Sequence, residues 1–259
     1  MRYRAVGIAA TLGLVVYDTT VRRRMLEWGS MPEERTMPLP GDEIIEEVMT
    51  HRTRAVTIDA PPEAVWPWLV QMGEARGGWY SYDWIENWLF FGTVHRADGR
   101  RSATRIHPEF QDLQVGDHVD TATLRGMRVG AAVTTCEANQ ALVIGSWAFV
   151  LVPLPGGRTR FLNRERESGW IRRLAPRRSG VLRALAGLAD YAIGEPLHFA
   201  MVRRMMLGIK ARGEASLEVQ APAVGHGGFS PAEEALVRWG CRWAVALPGA
   251  SPPRRHSSH

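Results

Sequence analysis

The chain reads as an α+β fold, and three observations lead there. A strand-like stretch ending near Ile58 runs directly into a prolyl helix start at Pro61-Pro62-Glu63. Strand-like stretches then succeed one another from Leu113 to Asn163, separated by turn signals and not by helices. Two helical stretches fill Ser179 to Leu217. Strands gathered in one block, after a strand and helix and before a long helix, lack the alternation that a parallel sheet needs, so the sheet is expected to be antiparallel. The chain carries no internal repeat.

Composition sets ordinary bounds. With 259 residues and 45% hydrophobic content, the chain can bury a substantial core, enough for one domain plus extensions. The net charge is +5 and the pI about 9.7, with Lys210 the only lysine, so arginine carries almost all the positive charge. In the absence of any zinc-finger or RNP-like pattern, this surplus reads as a dispersed, solvated basic surface, and no nucleic-acid partner is expected. Cys136 and Cys241 are two lone cysteines that imply neither a disulfide framework nor a metal site, although one bridge stays open. There is no Gly-rich phosphate loop, HExxH, GxSxG or cysteine-rich metal pattern, so no cofactor and no metal are expected.

Residues 1–29 form the first expected unit, an apolar N-terminal helix. Ala5 to Tyr17 is an apolar run between Arg2 and Arg4 on one side and Arg22-Arg23-Arg24 on the other. It falls short of the about 20 apolar residues that span a bilayer. Three readings stay open: a membrane anchor or interfacial helix, a helix packed on the domain, and a signal peptide without a convincing cleavage site. We take the first, which makes the protein cytoplasmic and held at the cytoplasmic membrane through residues 5–17. Residues 30–53 contain Pro32, Pro38, Pro40 and Gly41 and read as an extended connector, with Glu43 to Thr50 either a short helix or a lead into the first strand.

The stretch from Thr57 to Asn87 organises the rest. Val56 and Ile58 alternate with Thr57 and Asp59 as in a half-buried strand, and Ala60-Pro61-Pro62 stops it. Val65, Trp66, Leu69, Val70 and Met72 then recur at helical spacing up to Gly73, with Pro67 removing one hydrogen bond. Gly77-Gly78 permits a tight turn before Trp79-Tyr80-Ser81-Tyr82-Asp83-Trp84. Trp66, Trp68, Trp79, Tyr80, Tyr82, Trp84 and Trp88 are too many aromatics for so short a span to cover by itself; they suit the wall of a pocket. Ile85 to Arg105 gives no clear pattern apart from a loop at Asp98-Gly99.

Leu113, Val115 and Val119 around Gly116-Asp117 fit a strand with a turn or bulge. Met127 to Thr135 alternates cleanly, Ala141 to Val152 is apolar on both faces, and Pro155-Gly156-Gly157 divides it from Thr159, Phe161 and Asn163. Ser179 to Ile193 reads as one helix, broken at Gly194-Glu195-Pro196, with Pro196 opening a second. On that second helix His198, Met201, Val202, Met205 and Ile209 share the face expected to meet the sheet, with Arg203, Arg204 and Lys210 opposite. Residues 221–259 are a linker, an apolar tail helix around Leu236 to Leu247 with a capping-box spacing of Ser230 to Glu233, and a disordered end.

The run Ala60-Pro61-Pro62-Glu63-Ala64-Val65-Trp66-Pro67-Trp68-Leu69-Val70-Gln71-Met72-Gly73, followed by Gly78-Trp79-Tyr80-Ser81-Tyr82-Asp83, resembles the START-like, or SRPBCC, superfamily, in its actinobacterial polyketide cyclase/dehydrase and lipid-transport-like branch. Arg105 to Leu113, Val115-Gly116-Asp117, and Glu195 to Met201 through Gly208-Ile209-Lys210 are similar to the same branch in the same order. The resemblance places this domain at residues 54–220. It implies a helix-grip fold, in which a curved antiparallel sheet wraps a long C-terminal helix and leaves an apolar cavity between them.

Two functions compete on these grounds. One is non-catalytic binding of a hydrophobic or aromatic small molecule, lipid- or polyketide-like, by Trp66, Gln71, Trp79, Tyr80, Tyr82, Trp147, His198, Met201, Val202, Met205 and Ile209; flexible methionines suit a cavity that takes varied ligands, and they suit an ordinary core equally. The other is a polyketide cyclase/dehydratase-like enzyme, which needs two titratable groups to meet in the cavity. Its candidates are Asp83, His107, Arg164 and His198. Each also has a structural reading: a helix cap for Asp83, a loop hydrogen bond for His107, the outer sheet face for Arg164 and a satisfied core histidine for His198.

Overall fold

The computed structural model describes residues 12–13, 15–44, 51–89, 95–124, 127–166 and 179–220. Two compact units, Met1–Val219 and Gln220–His259, divide the chain, and the description concerns the first. The expected tail helix at 236–247, and residues 5–11 and 14 of the expected anchor, lie outside the described residues.

Six antiparallel strands form one sheet: β1 (His51–Ile58), β2 (His118–Leu124), β3 (Met127–Glu137), β4 (Ala141–Ile144), β5 (Trp147–Leu154) and β6 (Arg158–Arg166), in the order β1-β6-β5-β4-β3-β2. The five later strands meander, and β1 closes against the last of them. Register shifts between Asp120 and Ala122 and between Val133 and Thr135 bend the β2–β4 side and curve the sheet. Helices α1 (Arg23–Leu26) and α2 (Pro32–Thr36) precede the sheet, α3 (Pro62–Val70) and α4 (Asp83–Leu89) lie between β1 and β2, and α5 (Gly180–Ala189) and α6 (Glu195–Gln220) follow it. The α+β class and the long closing helix therefore stand as expected.

Strand alternation separates two cores. On the inner face Ile58, Val133, Leu142, Ile144, Phe149, Leu151 and Phe161 meet Val202, Met205, Met206 and Ile209 of α6, together with Val65, Leu69 and Met72 from the α3 region. Gly208 lets α6 come this close, since a Cβ there would lie 2.4 Å from the carbonyl oxygen of Tyr80. On the outer face Ala55, Ala141, Val150 and Leu162 are covered by Leu39, with Met37 beside it.

Four local expectations change. The apolar run Ala141 to Val152 is a hairpin and not a single strand: Gly145, at φ +57, turns the chain between β4 and β5. Uniform apolarity concealed that turn. The strand expected around Gly116 starts instead at His118, because Gly116 (φ +98) belongs to the preceding turn. Residues 30–44 are no extended connector; α2 and a 3-10 turn at Asp42–Ile44 lie on the outer face, where Arg164 and Arg160 reach them. Finally, the helix does not break at Gly194. A π-helical turn over Asp190–Gly194 joins α5 to α6 with helical backbone at Glu195, and the wider turn absorbs the N–H that Pro196 lacks.

Candidate ligand site on the inner face of the sheet

β6 fixes the site by alternation. Phe161 belongs to the inner core and Leu162 to the outer one, so Asn163 and Glu165 point inward with Phe161 while Arg164 points out. β5 supplies Phe149 and Trp147, the register partners of Asn163 and Glu165, and β1 supplies Arg52 and Arg54. Trp147 is the centre of an aromatic group: its ring centroid lies 5.7 Å from that of Trp79, 5.6 Å from His198 and 6.1 Å from Phe149, each at a steep angle. Phe149 in turn stacks on Phe161 at 6.4 Å. Val202 and Met205 continue the apolar wall along α6, with the half-buried Met201 one turn back, its carbonyl accepting from Ser81 Oγ at 2.9 Å.

A buried ion cluster forms the polar end. His198 Nε2 lies 2.7 Å from Glu165 Oε2, and Arg54 Nη1 donates to Glu165 Oε1 at 3.0 Å. Arg54 is itself held through Nε by the carbonyl of Met25 at 2.9 Å and lies over the Phe199 ring. Arg52 stands 3.9 Å from Glu165 and bonds Glu195 at 3.3 Å, and Arg22 grips the same Glu195 at 2.6 and 3.0 Å. Burial works against the charge on Glu165, but His198, Arg54 and Arg52 outweigh it and pull its pKa down to about 2. Glu165 is thus a fixed anion that orients the imidazole through one nitrogen. Among the described residues, Nδ1 of His198 takes up no hydrogen bond.

Two further polar atoms give this region its character. Trp79 Nε1, a donor, and Asn163 Oδ1, an acceptor, are buried without a hydrogen-bond partner among the described residues. Most buried polar atoms in folded proteins are paired, so each exception needs an explanation. Trp79 packs against the Trp147 ring, and Asn163 is the register partner of Phe149.

The other expected site residues lie elsewhere. Gln71 is fully enclosed and fully used: its amide donates to Tyr80 Oη (2.9 Å) and the Arg105 carbonyl (3.1 Å) and accepts from the His107 N–H (3.0 Å), which makes it a strut between α3 and the loop before β2. Tyr80 is buried beneath Arg212, whose guanidinium sits 4.4 Å from the ring centroid, and burial pushes its phenol far above the usual range. Trp66 is half-buried at the edge of the inner core, and Tyr82 is half-buried with Arg204 over its ring. Trp84 and Trp88 are more than two-thirds exposed, so the aromatic cluster of the sequence divides between core and surface.

The four catalytic candidates go to four different places. Asp83 accepts from the backbone and hydroxyl of Ser102 and faces Arg96. His107 is clipped between Glu109 (3.0 Å) and Asp98 (3.1 Å). Arg164 lies on the outer face, bonded to Asp42 (2.6 Å), Thr53 and the carbonyls of Glu34 and Met37. Only His198 stands in the inner-face site, and its partner there is Glu165, which the sequence reading passed over. The signal was present: Glu165 and Asn163 continue the two-residue phase of Thr159 and Phe161, and a charge in phase with a core needs a buried partner.

No family model matches the chain, and no curated protein matches it. Among solved structures, a conserved protein of unknown function from Enterococcus faecalis aligns with 74% of this chain and 85% of its own at 13% identity, with a TM-score of 0.28. A Polyketide_cyc-like protein from Corynebacterium glutamicum aligns with 71% of this chain and 100% of its own at 15% identity, with a TM-score of 0.25. Likenesses at that level carry no weight for the function.

Proposed function

We propose that residues 54–220 are a START-like, helix-grip domain that binds a small apolar or aromatic molecule, lipid- or polyketide-like, on the inner face between β5, β6 and α6. The observations that carry the reading are the Trp79 indole N–H, on a ring packed against Trp147, and the Asn163 amide oxygen, on the register partner of Phe149, each buried with no hydrogen-bond partner among the described residues. A ligand with a ring system and a hydroxyl supplies apolar surface to the rings and both a donor and an acceptor to those atoms.

The test combines native mass spectrometry of protein purified gently from its own host with titration by 1-naphthol, read through tryptophan fluorescence. The expected results are a co-purified mass and saturable quenching that Asn163→Leu weakens by about tenfold, the worth of one buried hydrogen bond. That substitution removes the unpartnered Oδ1 together with the long 3.4 Å bond from Nδ2 to the Ala148 carbonyl, so the two effects offset and the melting temperature should change little. Absence of both co-purified mass and saturable quenching, or equal affinity in the variant, refutes the reading.

A cyclase/dehydratase-like activity is the second reading, favoured by the His198–Glu165–Arg54 arrangement. A fixed carboxylate that orients an imidazole through one nitrogen leaves the other to move a proton on a bound molecule. Under that reading wild-type protein converts the co-purified compound over time, by loss of water or by a change in chromatographic retention at constant mass, whereas His198→Gln leaves both mass and retention unchanged. Identical mass and retention in both proteins leave binding alone.

A further inference from the structure

The N-terminal stretch reaches the inner-face site along a ladder of charges. No helix among the described residues is long and apolar enough to cross a membrane, and Arg22 to Gly29 of the expected N-terminal unit lie against β1 and the start of α6. The Trp28 carbonyl accepts from the Ala55 N–H at 3.0 Å, and the Trp28 ring meets that of Phe199 edge-on. Two π-helical turns face each other there, Tyr17–Arg22 and Asp190–Gly194, with the Tyr17 ring 5.2 Å from that of Tyr191 and the Tyr191 hydroxyl donating to Asp18 at 3.2 Å. Turns of this kind recur at functional sites. Arg22 closes the first and Glu195 follows the second, and two hydrogen bonds between them, at 2.6 and 3.0 Å, join the turns.

From that grip the path leads inward. Glu195 accepts from Arg52 at 3.3 Å, Arg52 stands 3.9 Å from Glu165, and Glu165 meets His198 at 2.7 Å. Side-chain exposure falls along it from 21% at Arg22 and 11% at Glu195 to 5% at Arg52 and 0% at Glu165, so Arg22 is its outermost member. The same stretch also steadies the other arginine on Glu165, because the Met25 carbonyl accepts from Arg54. Arg52 is shared between two carboxylates and lies nearer to Glu195. With Arg22 in place, Glu195 is compensated through two bonds; without it, Arg52 is the remaining cationic partner of Glu195 among the described residues and is drawn off Glu165. A loosened Glu165 lets the imidazole turn, and that ring packs against Trp147. We propose that Arg22 is a positioning residue of the inner-face site: by holding Glu195 it leaves Arg52 to Glu165, fixes the His198 imidazole and couples docking of the N-terminal stretch to ligand binding. The coupling to a ligand rests on the reading above; the relay from Arg22 to His198 does not.

The test follows the His198 ring signals in proton–carbon correlation spectra of the full chain, identified as those missing from His198→Gln, first without ligand and then during titration with 1-naphthol. Arg22→Met should move the ligand-free signals and weaken 1-naphthol binding by about threefold or more, on the order of one weakened hydrogen bond. Arg22→Lys keeps the charge but not the paired bonds, and should act in the same direction by less. Arg22→Met/Glu195→Gln should bring the signals back toward wild type, because no carboxylate then competes for Arg52; a role confined to stability predicts a second loss instead. Tyr191→Phe removes the hydroxyl bond to Asp18 and leaves Arg22 on Glu195, so this control should match wild type. Ligand-free signals that stay in place in both Arg22 variants, that Tyr191→Phe moves as far, or that the double variant moves further overturn the proposal. So does an unchanged 1-naphthol affinity in Arg22→Met. Wild-type protein that takes up no 1-naphthol while the ligand-free signals move as expected refutes the ligand reading alone, and the relay stands.

Discussion

Glu165 and Glu86 are both carboxylates with almost no exposure, and burial works against the charge on each, yet their surroundings send them in opposite directions. Glu165 sits between β1, β6 and α6 with the imidazole of His198 and the guanidinium groups of Arg54 and Arg52, and its pKa falls to about 2. Glu86, on α4, is pushed up to about 7 first by burial; Arg96 opposes the rise, while Asp83 and Glu74 add to it. Its Oε1 and the Nε of Arg96 are among the buried atoms with no partner in the described residues. Burial works against the charge at both sites. The balance of cations and anions facing each carboxylate sets the direction.

The largest expected effect sharpens that contrast. Glu165→Gln leaves Arg54 buried against an uncharged amide and should cost about 3–5 kcal/mol in urea unfolding at neutral pH. A cost under about 1 kcal/mol would mean that Arg54 is satisfied without it. For Glu165 the folded pKa lies below the ordinary 4.5, so its contribution is complete above that pH and fades as pH falls toward 2.

Glu86 carries the opposite sign. Its folded pKa exceeds the unfolded one, so the native state keeps a proton that the unfolded state releases, and stability from this group falls as pH rises from about 4.5 to about 7. The fall should be on the order of 2–3 kcal/mol in wild type, and Glu86→Gln should flatten it. An unchanged slope in the variant would sink this assignment.

A smaller effect is expected on the outer face. Asp42 bonds Arg164 (2.6 Å), Arg166 (3.1 Å) and the Leu39 N–H (2.9 Å), so Asp42→Asn should cost about 1–2 kcal/mol and hasten proteolysis within residues 31–44. Equal cleavage rates would show that Leu39 alone holds the segment. The smallest effect belongs to the exposed pair Arg23–Glu27 (3.1 Å): Arg23→Ala should shift stability by less than about 0.5 kcal/mol, which calibrates how much of the larger effects comes from burial.

Much of the fold was legible in local pattern. Pro61-Pro62 placed α3, the alternation of Met127 to Thr135 placed β3, and the face of Val202, Met205 and Ile209 met the sheet as expected, with Met206 beside it. Where hydrophobicity was uniform, as from Ala141 to Val152, there was no period to read, and the hairpin at Gly145 was lost. The candidate site was half legible. Trp79, Trp147 and His198 came from residue type, but Asp83, His107 and Arg164 resemble catalytic residues only until their separate partners are known.

The sequence by itself determined what repeats over a few residues: the α+β order of elements, the apolar faces, the prolyl helix starts and the arginine-bracketed apolar runs, because each is set by local backbone chemistry and spacing. Only the tertiary structure decided which polar residues meet. His198 and Glu165 are 33 positions apart and Arg54 and Glu165 are 111, and pairing across such distances depends on β1 closing against β6 under α6. Whether a buried charge is compensated depends on everything that surrounds it, and those surroundings are assembled from distant segments.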